Sequence, residues 1–160
     1  DKTHSLSRKF IVMNRRTFIK QTCNTCVSGG LIPLLISSCQ ATHYTSGVID
    51  ETGINVSKSE FTYLKKEQTL LRQYIIIQND KLEFPIYLYR FSDNEYSALW
   101  MKCTHQGAEL QASGDSLHCP SHGSEFTNKG AVSNGPAERN LRVFPIRVQT
   151  DTITIDLRQS

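Results

Sequence analysis

Four residues in two short segments carry the chemistry this sequence offers. Cys103-Thr-His105 and Cys119-Pro-Ser-His122 each place one thiol and one imidazole within a few residues, and thirteen residues separate His105 from Cys119. Thiolate is a soft anionic donor suited to iron–sulfur clusters, and imidazole is a neutral donor suited to iron. Two of each match a 2Fe–2S cluster with sulfur donors on one iron and nitrogen donors on the other. Replacing two thiolates by neutral imidazoles makes an added electron easier to accept and raises the reduction potential. The same four groups could bind zinc tetrahedrally. Structural zinc sites, however, usually pair Cys with Cys and His with His, whereas each segment here carries one of each. Pro120, Gly123 and Ser124 beside the second pair are a turn composition rather than a core one. His118, next to Cys119, falls outside the pattern and reads as a surface or strand-end histidine, not a ligand; His4 and His43 receive no role.

The match runs beyond the four residues. Cys103-Thr-His105-Gln-Gly107 and Cys119-Pro-Ser-His122-Gly-Ser124-Glu-Phe126 resemble the two cluster-binding loops of the Rieske family, and Gly135-Pro136-Ala137 resembles the proline loop that covers the cluster there. The resemblance spans residues 50–157. It implies a Rieske-type 2Fe–2S cofactor with Cys103, His105, Cys119 and His122 as iron ligands. It also implies an all-β fold of Rieske type, an antiparallel β-sandwich base with a small cluster-binding subdomain inserted at about residues 103–137.

Elements that must position these loops can be sought in the pattern. Val48–Asp50, Gly53–Val56 and Tyr74–Gln78 are β-prone runs, and Phe84–Phe91 and Tyr96–Lys102 flank the hairpin signal Ser92-Asp93-Asn94-Glu95. Leu141–Gln149 and Thr152–Leu157 form another pair across Thr150-Asp151. In the last run Ile153, Ile155 and Leu157 alternate with Thr152, Thr154 and Asp156, the period of a half-buried strand. Glu60–Tyr74 is the one stretch expected as a short helix. Residues 103–137, rich in Gly, Ser and Pro, read as long loops without structure of their own, a form usually functional in compact domains.

The first 38 residues read as a targeting segment. They hold six Lys and Arg and one acid, Asp1, which leaves twelve bases and fourteen acids in residues 39–160. The formal charge of +3 therefore belongs to the leader, and no electrostatic footprint for nucleic acid remains. Asn14-Arg15-Arg16-Thr17-Phe18-Ile19-Lys20 resembles a twin-arginine export signal, a route that carries folded, cofactor-loaded proteins. The apolar stretch from Cys26 to Ile36 is broken by Gly29, Gly30 and Pro33 and is shorter than the roughly 20 residues of a spanning helix. An uncleaved membrane anchor is the competing reading of this region. Ile36-Ser37-Ser38-Cys39 resembles a bacterial lipobox, with Cys39 the lipidated first residue of the mature chain and residues 39–48 its tether ahead of a domain at 49–160. Cys23 and Cys26 would leave with the leader, so no cysteine remains for a disulfide.

Within the resembled family, high-potential members carry an extra disulfide between the loops; Ala108 and Ser121 stand in those places. Ser124 matches a hydroxyl donor to cluster sulfur, while Phe126 stands where a tyrosine donor would be. Gln106 replaces the apolar tip residue of the quinol-oxidising members, and Pro136 belongs to the covering loop. The expectation is one-electron transfer in the bacterial periplasm, at a membrane through lipidated Cys39, by a tethered carrier or a subunit of a larger oxidoreductase. Its partners would be redox proteins such as a cytochrome. The alternatives are the Rieske subunit of a quinol–cytochrome c reductase and a zinc-stabilised binding module. No nucleophile or acid–base pair suggests catalysis by the chain's own residues.

Overall fold

A computed structural model describes residues 42–158. The expected leader at 1–38 and the lipidation residue Cys39 lie outside the described residues. Among the described residues, no helix is long and apolar enough to cross a membrane.

The architecture is all-β, as expected, and follows from where the apolar runs fall. A five-stranded sheet has the order β1 (Tyr44–Thr45), β6 (Tyr74–Ile77), β7 (Ile86–Arg90), β8 (Tyr96–Trp100), β13 (Val143–Phe144). Its strands are not alternating but nearly continuous in apolar character: Ile75-Ile76-Ile77, Ile86-Tyr87-Leu88-Tyr89 and Ala98-Leu99 are all buried. Such runs mark a sheet covered on both faces. One face (Ile75, Ile77, Ile86, Leu88, Ala98) packs with Ile54, Val56, Ile153 and Ile155 of a four-stranded sheet. That sheet has the order β14 (Ile146–Val148), β15 (Thr152–Ile155), β3 (Gly53–Ser57), β2 (Val48–Asp50). The opposite face (Ile76, Tyr87, Tyr89, Leu99) packs on Leu110, Leu117 and Phe126 of the insertion. Three layers result, with the site carried by the outermost.

Several expectations change in detail. Glu60–Tyr74 is not a helix. A 3-10 turn, Lys58–Phe61, leads into a hairpin of β4 (Thr62–Lys65) and β5 (Gln68–Leu71). Tyr63 pairs across it with Leu70, and the Arg72 guanidinium lies 4.5 Å over the Tyr63 ring. Its two-residue turn holds Lys66 at φ 49 and Glu67 at φ 64, the backbone that matches strand twist in tight hairpins. The expected strand Leu141–Gln149 divides at Pro145: β13 joins β8 in one sheet and β14 joins β15 in the other. Proline has no N–H for a ladder, so the chain changes sheets there. The expected tether at 39–48 is paired to the domain from Tyr44, which aligns with Ile76. His43, unassigned from sequence, meets Glu60 at 2.6 Å.

Residues 103–137 are not structureless. They form their own four-stranded sheet, order β12 (Val132–Asn134), β11 (Glu125–Thr127), β10 (Ser116–His118), β9 (Gln111–Ser113). Buried Leu110, Leu117 and Phe126 give this layer a core of its own. The Tyr87 hydroxyl donates to the Gly114 carbonyl at 2.8 Å, and the Ser97 hydroxyl donates to the Asn128 carbonyl at 2.5 Å, fastening the layer to the central sheet.

Gly53 opens β3 with φ 140, and a Cβ there would lie 2.0 Å from the Ile155 carbonyl oxygen. Backbone cannot yield as a side chain end can. Gly53→Ala should therefore destabilise the domain by on the order of 3 kcal/mol, through strain at a special φ plus a steric clash. A urea unfolding midpoint unchanged from wild type would show that the β3–β15 contact is looser than described.

Candidate metal centre

The two Cys-His segments fold into the same small ring. In the first, the Cys103 N–H donates to the Ala108 carbonyl at 2.8 Å and the Gly107 N–H donates back to the Cys103 carbonyl at 2.9 Å. In the second, the Cys119 N–H donates to the Ser124 carbonyl at 2.8 Å and the Gly123 N–H donates to the Cys119 carbonyl at 3.0 Å. Each ring thus spans six residues, from Cys to Ala108 or Ser124, and turns on a glycine at its fifth place. Gly107 has φ 74 and Gly123 φ 79, a conformation that glycine adopts without steric cost. His105 stands third in its ring and His122 fourth. One loop leaves β8 through Met101 and Lys102, and the other leaves β10 directly, so each is rooted in a sheet.

The rings separate the two donor types. Cys103 and Cys119 are buried, each 2% exposed, and both are free thiols. They lie close enough for a sulfur–sulfur hydrogen bond. His105 and His122 are exposed, with ring centroids 5.3 Å apart and planes at 81°. The sulfurs face the core and the imidazoles face solvent. Burial is the largest single influence on Cys119 and would raise its pKa. The backbone N–H of Ser121, the Cys103 thiol, the backbone N–H of His122 and the Ser121 side chain together outweigh it, and the thiol sits below its ordinary value. Donors already aimed at a sulfur favour thiolate, the form that binds metal.

Gly135–Asn140 closes over both rings. The Ala137 N–H donates to the Ser124 hydroxyl oxygen at 3.0 Å, and the Asn134 side-chain amide donates to the Gly123 carbonyl at 3.3 Å. On the other side the Thr104 hydroxyl donates to the Arg139 carbonyl at 2.5 Å, and Arg139 Nη2 reaches the Thr104 carbonyl at 3.5 Å. The Gly135–Pro136 bond is cis, and Pro136 itself is exposed. Ser124 is fully buried. Its oxygen accepts from Ala137, which occupies one lone pair and leaves its own proton to donate elsewhere. Phe126 is also fully buried, packed in the cluster of side chains that includes Cys103 and Cys119, and its ring offers no donor. Gln106 is exposed at the tip of the first ring. His118 ends β10 and is paired between Gln111 and Glu125, a strand-end residue.

This arrangement fits a binuclear group better than a single ion. Two sulfurs sit together and two imidazoles sit together, as a cluster with a sulfur-ligated and a nitrogen-ligated iron requires. Among the described residues, no three His, Cys, Asp or Glu side chains converge as on one metal ion. Sequence reasoning did not anticipate the Thr104–Arg139 and Ser124–Ala137 contacts. Their partners are 35 and 13 residues apart, and only the fold brings them together.

Known proteins agree with the geometry. The family model described as the Rieske [2Fe-2S] domain matches residues 61–145, more than half of the chain. The ubiquinol-cytochrome c reductase iron-sulfur subunit of Bradyrhizobium diazoefficiens is 38% identical over 53 residues, covering 31% of this chain and 30% of that protein. The cytochrome b6-f complex iron-sulfur subunit 2 of Nostoc is 36% identical over 55 residues, covering 33% of this chain and 31% of that protein. The match thus spans about a third of these curated relatives. Among solved structures, the cyanobacterial plasma membrane Rieske protein from Synechocystis aligns with TM-score 0.46 and 26% identity over 52% of this chain and 86% of its own. With two equivalent Cys-His rings under a closing proline loop and a family match across them, the chain belongs to the Rieske 2Fe–2S family, whose domain implies a Rieske-type 2Fe–2S cluster.

Proposed function

We propose that the chain is a one-electron carrier in which Cys103 and Cys119 hold one iron and His105 and His122 the other. The carrying observation is the segregation of donors: both thiols 2% exposed in the core, both imidazoles outside. Buried thiolates keep the anionic side of the group out of water, and exposed imidazoles give an electron a short route to a partner. The cluster supplies a reversible one-electron couple when bound. The chain's residues fix its environment, because charge, hydrogen bonds to sulfur and exposure set the potential. Ser124 supplies one such donor, and Phe126 withholds another.

The cellular setting belongs to the same proposal. Twin-arginine and lipobox resemblances at residues 14–20 and 36–39 support export to a bacterial periplasm and a lipid tether at Cys39. Acyl chains would hold the domain at a membrane surface without spanning it. A second reading, the iron–sulfur subunit of a quinol–cytochrome c reductase, is favoured by the names of the curated relatives. Polar Gln106 at the exposed tip, and Ala108 and Ser121 in place of a bridging cysteine pair, weigh toward the independent carrier.

Four outcomes are expected. Replacing His105 or His122 by Ser should abolish the nitrogen-coupled electron paramagnetic resonance signal of the reduced protein, since each removes one of two nitrogen donors; an unchanged signal in either variant contradicts the ligand assignment. The wild-type midpoint should fall within the Rieske range of roughly −150 to +300 mV but below its upper end. Ser124→Ala should lower that midpoint in a redox titration and Phe126→Tyr should raise it, because a donor to sulfur stabilises the more negative reduced state. No shift in Ser124→Ala would mean that its proton points away from the sulfurs. Finally, Cys39→Ala should move the protein from the membrane to the soluble fraction, whereas retention on the membrane would favour an uncleaved anchor.

A further inference from the structure

A groove of about 540 Å³ opens beside His105, between the first ring and the segment 139–143. Trp100, Lys102, Arg139, Arg142 and Val143 line it together with His105, and no Asp or Glu lines it. The domain carrying this groove has twelve Lys and Arg against fourteen Asp and Glu, so three cations here stand against the overall sign. Two of them are held in place. The Lys102 ammonium sits 4.9 Å from the Trp100 and Phe84 ring centroids and 3.1 Å from the Glu83 carboxylate. The Arg142 guanidinium lies 4.5 Å over Phe144 and 5.7 Å over Trp100, and it donates to the Leu157 carbonyl at 3.2 Å. Arg139 is exposed, at the rim beside Thr104. Lys102 and Arg142 both lie over the Trp100 ring, and Val143, 52% exposed on β13 at the end of the five-stranded sheet, adds a second apolar lining residue.

We infer that this groove is the docking surface for a carboxylate-rich segment of a redox partner protein. The inference rests on the electron-carrier reading above and names the partner's chemistry. Carboxylates would meet Arg139 and Arg142, Lys102 being already paired with Glu83, while an apolar side chain would lie on Trp100 and Val143. Tryptophan and arginine are the side chains most used as interface anchors. A segment seated here lies against His105, one of the two exposed imidazoles through which an electron would pass. A positive groove on a negative domain also orients the molecule before contact. Complementary charge raises association rates, and the effect fades as salt shortens the screening length from about 30 Å at 0.01 M to about 10 Å at 0.1 M.

The test uses reduced holoprotein, each variant first checked for its nitrogen-coupled signal. Hexaglutamate peptide is the binding probe, and Trp100, the single tryptophan of the chain, reports on the groove through its emission. Ferricyanide and tris(phenanthroline)cobalt(III) are the anionic and cationic oxidants in stopped flow. Hexaglutamate should change the emission of the wild type in a salt-sensitive manner and slow its oxidation by ferricyanide at matched ionic strength. Arg139→Glu should lose both effects, react several-fold more slowly with ferricyanide at low salt, and react faster with the cobalt complex. Lys66→Glu makes the same charge change at the β4–β5 turn and should behave as wild type. Equal slowing in the two variants would reduce the effect to net charge and overturn the inference. So would hexaglutamate binding that survives Arg139→Glu. A wild type without the nitrogen-coupled signal would instead overturn the electron-carrier reading, which separates the two failures.

Discussion

Two sulfurs must be buried side by side while two imidazoles a few residues away stay in solvent, and the rest of the molecule answers to that demand. A short loop cannot bury its backbone without pairing it. Each six-residue ring meets this by closing on itself, Cys N–H to the carbonyl five residues on and Gly N–H back to the Cys carbonyl. The ring fixes which way each side chain points. Glycine at the fifth place turns the chain so that Cys enters the core and His leaves it. That His stands third in one ring and fourth in the other does not alter this division: both imidazoles are exposed, with centroids 5.3 Å apart.

The rings alone would be a weak device, and the fold braces them from two sides. Beneath them, the central sheet offers an apolar face of Ile76, Tyr87, Tyr89 and Leu99, completed by Leu110, Leu117 and Phe126. Above them, the segment from Asn134 to Arg139 holds the first ring through Thr104 and the second through Gly123 and Ser124. Neither brace involves a disulfide among the described residues, where both cysteines are free. Hydrogen bonds between loops thus hold the cover, one of them on the Ser124 hydroxyl oxygen.

The iron-ligand candidates were legible because residue type and spacing carry them directly. The strands of the double-faced sheet were legible too, since unbroken apolar runs such as Ile75-Ile76-Ile77 leave few alternatives. Other elements were not. Lys65-Lys66-Glu67-Gln68 is composed of good helix formers, and its turn holds positive φ without the Asn or Gly that would announce it. The strands of the insertion are three residues each, too short for a period of two to register. The groove beside His105 is assembled from residues 100–107 and 139–143, and no linear pattern joins them.

The donor assignment is most directly tested by electron–nuclear double resonance on the reduced protein, grown with nitrogen-15 histidine and purified without oxygen. Two strongly coupled histidine nitrogens are predicted, one from His105 and one from His122, on a cluster that also carries two cysteine sulfurs. A single coupled nitrogen, none, or a protein that binds zinc and no iron would contradict the division of thiolates and imidazoles on which the reading stands.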